Sequence, residues 1–420
     1  MKYLLSLFNL DKNKLKYFII LFFEKVILVS THIYFINYLN RDLYGLYNQI
    51  NFVSGFIVNF SLLGTLVPIV LSAKENNKYD YNNLINSLQL LFLAIIIFFS
   101  LIFITFKSEI SYLLFGYDDY QNFVFVVFLV VIGDLFSEIY SQKKRIKEEL
   151  IDYSVFLLSR TITRLTLLFI TYELSNSFLF AIVISTLFYY ILIINKVKLR
   201  FREGVKNFFL EKKNVLRTIR RGFWFLAIYI TSTINLLSIN LILASKLKLE
   251  NLAIYNFNYT LATFPLTFIT YVIFYSLPGY KKNSHVENSS GVLFRDIAFS
   301  LFILVISFLI IFFSYDFILE IVSKNKYYKN SYIFNLIFLS NFILVINSFF
   351  QFPLYSKNRF WIIFLIQVTG MIYTVICLFL TINFKLDTPI LIVINSNIIM
   401  LILYIISNLK YGKQNYFYKK

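Results

Sequence analysis

Six charged side chains stand inside stretches that are otherwise apolar: Glu24, Lys25, Asp134, Glu138, Arg160 and Arg164. A charge held at bilayer depth costs about 2.5–3.5 kcal/mol on insertion scales, so such groups persist when paired, wetted or used. The four-residue spacing of Asp134 and Glu138, and of Arg160 and Arg164, puts each pair on one helical face. With the intervening turn centred near residue 147, Asp134 comes level with Arg160, Glu138 lies nearer the surface, and Arg164 sits a turn deeper without an obvious partner. Two chemistries are open to this set. One is a structural ion-pair network. In the other, Lys25, Arg160 and Arg164 meet an anion while Glu24, His32 and Asp134 handle a coupling ion. His32 shares a face with Lys25, and an imidazole near mid-membrane can relay a proton.

Uncharged polar residues form stripes of their own. Asn256, Thr260, Thr263, Thr267 and Thr270 recur at steps of four and three, which aligns them on one helical face. Tyr47, Asn51, Ser54, Ser61 and Thr65 repeat that rhythm, and Thr231, Asn235 and Ser238 make a shorter version. Small and hydroxylated residues serve helix packing in membranes. They can equally line a wet passage, where hydroxyls and amides replace water around a polar ligand.

The elements that must position these residues are helices in lipid. Nine windows lack Asp, Glu, Lys and Arg: 43–73, 81–106, 174–195, 222–245, 251–280, 297–315, 330–356, 360–384 and 388–409. Three more, near 17–39, 120–141 and 153–172, carry a few charges. About 20 apolar residues make one helical crossing, so the chain predicts twelve. Backbone groups in hydrocarbon must be satisfied internally, and strands of roughly ten alternating residues are absent, which excludes a membrane barrel. The chain is 59 % hydrophobic, above the ~45–50 % of soluble domains, and offers no soluble stretch long enough for a core. The first apolar run is too long for a cleavable leader and reads as a retained span.

The net charge of +18 does not indicate nucleic acid, because its distribution is sided. Counted over alternate connections, 29 Lys and Arg fall on one side and 8 on the other. That bias predicts a cytoplasmic location for both termini and an even number of spans. Cys377 is the one cysteine, so no intrachain disulfide forms; with His32 and His285 it falls short of a zinc site. No metal, cofactor or catalytic group is expected.

The basic connection 196–221 divides the chain into an N-terminal six-helix lobe, 1–195, and a C-terminal six-helix lobe, 222–420. Tyr47-Asn48 and Tyr255-Asn256 recur at an offset of 208 residues, each followed by a proline, Pro68 and Pro278, 21 and 23 residues beyond its tyrosine, consistent with two pseudo-symmetric lobes of parallel sense around a central cavity.

The chain resembles the polysaccharide and O-antigen flippases of the multidrug/oligosaccharidyl-lipid/polysaccharide (MOP) exporter superfamily. Leu43-Tyr44-Gly45-Leu46-Tyr47, followed by Gly64, is similar to that family's entry into helix two. Ala253-Ile254-Tyr255-Asn256 through Leu277-Pro278 resembles its helix eight. Ile318-Leu319-Glu320-Ile321-Val322 and Lys326-Tyr327-Tyr328 resemble the segment before helix ten, with Ser323-Lys324-Asn325 where a glycine is usual. The resemblance implies alternating access that carries an undecaprenyl-pyrophosphate-linked oligosaccharide to the outer leaflet of a bacterial inner membrane. It also implies a cavity lined by helices one, two, seven and eight. Candidate substrate ligands are then Lys25, Arg160, Arg164, Asn51, Ser54, Asn235, Asn256, Thr260, Thr263 and Thr267. The expected partners are the lipid-linked sugar, the bilayer and other polysaccharide-assembly membrane proteins. A cation-coupled multidrug antiporter using Glu24 and Asp134 is the nearest rival. A glycosyltransferase would have only Asp118-Asp119 to work with, and no Walker motif supports ATP hydrolysis.

Overall fold

The computed structural model describes residues 12–65, 81–146, 149–197, 212–283, 301–302, 304–317, 320, 331–356, 359–381 and 385–412. Among these the regular structure is helical throughout and contains no strand. The helices are α1 (Lys12–Tyr38), α2 (Arg41–Ser61), α3 (Tyr81–Thr105), the short α4 (Lys107–Phe115), α5 (Gln121–Ile146) and α6 (Leu150–Ser175). They continue with α7 (Phe178–Val197), α8 (Lys212–Asn283), α9 (Leu304–Phe317), α10 (Ser331–Ser356), α11 (Phe360–Leu380) and α12 (Thr388–Gly412). Each of the twelve apolar windows falls at least in part on described helix, α8 accounting for two of them. Seven described stretches are long and apolar enough to cross a membrane. Large apolar side chains such as Phe379, Phe313 and Leu174 lie at least 80 % exposed, as residues facing acyl chains would.

Two compact units are present. The first comprises residues 1–32 and 46–223; the second comprises 33–45 and 224–420. In the first, α7 packs against both α5 and α6. Gly133 makes the α5–α7 contact close: a Cβ there would stand 2.5 Å from Tyr190 Cε1. The Gly133 N–H donates to the Tyr190 hydroxyl at 3.0 Å. The α6–α7 link is a two-residue turn in which Asn176 adopts φ 53°, a left-handed conformation asparagine tolerates.

The second unit is stitched by buried amides. On α12, Asn397 Nδ2 donates to Ser340 Oγ of α10 at 3.1 Å, and Asn347 Nδ2 of α10 donates to the Asn397 carbonyl at 3.0 Å. Ser396 Oγ donates to the Gly370 carbonyl of α11 at 2.9 Å, and Gln367 Nε2 donates to Tyr404 Oη at 3.0 Å. Without water in the bilayer, each such group needs a protein partner.

α8 departs from expectation. Two spans, 222–245 and 251–280, are predicted with a break at 246–250, yet the helix runs through all 72 residues. Lys246-Leu247-Lys248-Leu249-Glu250 contains no Gly or Pro to stop it.

Candidate functional site

The intramembrane charges converge within the first unit, on α1, α5 and α6. Glu24 is buried, 3 % exposed, between two partners. Thr161 Oγ1 of α6 donates to its Oε1 at 2.9 Å, while Lys25 Nζ faces Oε2 at 3.0 Å. The pairing is between chain neighbours, which do not normally share a helix face, so the lysine must bend sideways to reach. Lys25 is therefore neutralised by its own helix.

The expected register between α5 and α6 is wrong by one turn. Asp134 pairs with Arg164 rather than Arg160, at 3.6 Å, and Arg164 also donates to Asn51 Oδ1 of α2 at 2.9 Å. Arg160 donates to Ser137 Oγ at 2.9 Å. Among the described residues no carboxylate lies within 4.0 Å of Arg160. Glu138 accepts from Gln142 Nε2 at 2.6 Å on its own helix. The α5–α6 hairpin leads from Ile146 to Leu150, with the N–H of Glu149 donating to the Lys144 carbonyl at 3.0 Å. Lys144 closes it by bonding both Glu149 and Asp152. Ser137, which the sequence pattern does not single out, is the hydrogen-bond partner of Arg160.

The α2 stripe turns into this cluster. Ser54 Oγ donates to the Val127 carbonyl of α5 at 3.3 Å, Asn51 meets Arg164, and the buried Tyr47 ring lies 6.1 Å from the His32 ring. Ser61 and Thr65 return their hydroxyls to backbone carbonyls of Ile57 and Leu62. Gln49, fully buried on the same helix, has no hydrogen-bond partner for either amide atom among the described residues.

On α8, within the second unit, Thr260 and Thr263 are half-buried and donate to the carbonyls of Asn256 and Tyr259. The amide nitrogen of Asn256 is buried without a partner among the described residues. The side chains of Asn235 and Thr267 lie outside the described residues, as do the Lys326-Tyr327-Tyr328 motif and residues 198–211 of the basic connection. Asn258, which stands off the polar stripe, accepts from the Tyr315 hydroxyl at 2.7 Å. No group of three His, Cys, Asp or Glu able to hold a metal occurs among the described residues.

Solved structures share this all-helical fold. A lipid II flippase, MurJ, in an inward closed conformation superposes with a TM-score of 0.68 over 93 % of this chain and 87 % of its own, at 12 % identity. An inward-facing multidrug resistance MATE family transporter of the MOP superfamily matches equally, at 0.68, over 94 % and 96 %, with 10 % identity. A point mutant of the Vibrio cholerae MATE transporter VcmN gives 0.64 over 94 % and 96 % at 14 % identity. No curated protein matches the sequence. Residues 12–278 match the polysaccharide biosynthesis protein family, and the chain belongs to that family.

Proposed function

We propose that this protein flips an undecaprenyl-pyrophosphate-linked oligosaccharide, such as an O-antigen or capsule repeat unit, from the cytoplasmic to the outer leaflet of a bacterial inner membrane. The observation that carries the reading is membership in the polysaccharide biosynthesis family across 12–278, since the fold alone is equally similar to flippase and drug exporter. The lobes 1–195 and 222–420, linked by the cytoplasmic connection 196–221, work by alternating access, with both termini cytoplasmic. Hydroxyls and amides of α2 and α8 (Asn51, Ser54, Asn235, Asn256, Thr260, Thr263 and Thr267) contact sugar, and the polyprenyl tail stays in lipid.

Arg160 is the cation best suited to the pyrophosphate. Its hydrogen bond goes to a neutral hydroxyl, which a phosphate oxygen outcompetes, because charge-assisted bonds are about twice as strong as neutral ones. Lys25 and Arg164 reach the same anion only by leaving Glu24 and Asp134. That exchange offers a coupling route, since a proton on Glu24 or Asp134, passed by His32, releases the paired cation. The drug-antiporter reading uses the same two carboxylates, and the fold match to a MATE transporter, equal to that with the flippase, leaves it as the second reading.

Cells lacking the protein test the matter. Lipid-linked oligosaccharide should accumulate on the cytoplasmic leaflet and be cleared on complementation. Normal export in the deletion strain, together with uptake of a fluorescent organic cation by purified protein in vesicles, would favour the antiporter instead.

A further inference from the structure

The first three turns of α8 carry five exposed cations, Lys212, Lys213, Arg217, Arg220 and Arg221, and the first turn has no acidic residue. Successive residues of a helix advance about 100°, which spreads these five over roughly half of the circumference, on one side. The placement is unfavourable for the helix alone, because its N-terminal end bears about half a positive charge and prefers anions. A nearby anion would offset it.

Two apolar side chains lie within the cationic face: Leu216 is 56 % exposed and Phe223 59 % exposed, and the same 100° advance places both between Lys212 and Arg220. Val215 is buried at 1 %, and Gly222 sits against the turn that ends α2, where a Cβ would stand 2.7 Å from the Leu63 carbonyl oxygen. This seat keeps the opposite face of α8 packed within the first unit and leaves the basic arc outward. Exposed apolar groups beside exposed cations suit a boundary where acyl chains meet phosphates, not bulk water. Trp224 follows at once, a residue typical of that boundary.

We propose that this arc binds the phosphate headgroups of anionic phospholipids in the cytoplasmic leaflet and fixes the depth of α8 there. Charge complementarity carries the argument: clustered Lys and Arg next to a span gain about 1 kcal/mol each at an anionic surface. The purified full chain, delipidated in detergent, is offered phosphatidylglycerol or phosphatidylcholine, and bound lipids are counted by native mass spectrometry. Wild type should retain phosphatidylglycerol preferentially, and R217Q/R220Q/R221Q should lower that preference about tenfold or more. The charge-preserving R217K/R220K/R221K should stay within about twofold of wild type, which separates lost binding from lost folding. Equal retention of the two lipids by wild type overturns the proposal, as does undiminished preference in the glutamine variant. Loss in the lysine variant as deep as in the glutamine variant also overturns it. Displacement of bound lipid by inorganic phosphate at constant ionic strength would overturn the lipid assignment and give the arc to free phosphate.

Discussion

Arg164 holds α2, α5 and α6 together through two bonds, to Asn51 and Asp134, and removing one should unsettle the others. Asp134→Asn should cost about 2 kcal/mol, short of the ~3–5 of a fully buried pair because the two side chains keep 22 % and 18 % exposure. Membrane abundance and melting in detergent would record the loss, and adding Arg164→Gln should recover part of it. Arg160→Ala is expected to act differently. It should leave abundance within about twofold of wild type, since its partner is a neutral serine, while oligosaccharide export falls at least about tenfold. A matching fall in abundance would make Arg160 structural. The six charges were plain in the sequence as costly exceptions in apolar windows. Their pairing was not, because Lys147-Glu148-Glu149 lacks the Gly or Pro that would have marked the turn, and a small shift of the turn changes which residues face each other across the hairpin.

Helices were easier to foresee than the faces they present. Hydropathy located all twelve apolar windows, for lipid demands unbroken helical hydrogen bonding. Periodicity aligned Asn51 with Ser54 and Thr260 with Thr263 correctly, but it tells which residues share a face, not what that face meets. Ser54 turned out to bond a carbonyl of α5, and Thr260 and Thr263 satisfy themselves on their own helix. The amide stitching of α10–α12 escaped notice although Ser340 and Asn347, seven apart, already shared a stripe. Close approach was equally hidden. Gly45, in the second turn of α2, stands where a Cβ would come 2.6 Å from the Leu249 carbonyl oxygen of α8, and backbone yields little. Gly45→Ala should therefore destabilise by about 1–3 kcal/mol, seen as a lower melting temperature in detergent. The neighbouring ion pair of Arg41 with Glu250 should weaken in step.

The sidedness of charge makes a prediction for the protein as a unit. In a Cys377→Ser background, Asp119→Cys should react with an impermeant maleimide in intact cells, and Lys213→Cys only after lysis. The reverse pattern would invert the topology. Transport direction would then have to be inverted with it, since the proposed entry of substrate is from the Lys- and Arg-rich side.

The polypeptide passes from one compact unit to the other at three points: between His32 and Ile33, between Gly45 and Leu46, and between Phe223 and Trp224. Each lies inside a continuous helix, α1, α2 or α8, and none in a loop. There is no slack tether at any crossover. Displacing one unit against the other must therefore flex these three rods, stretching or breaking their rungs of backbone hydrogen bonds. A helix-stiffening or helix-breaking change at a crossover should alter the speed of transport far more than affinity for the cargo.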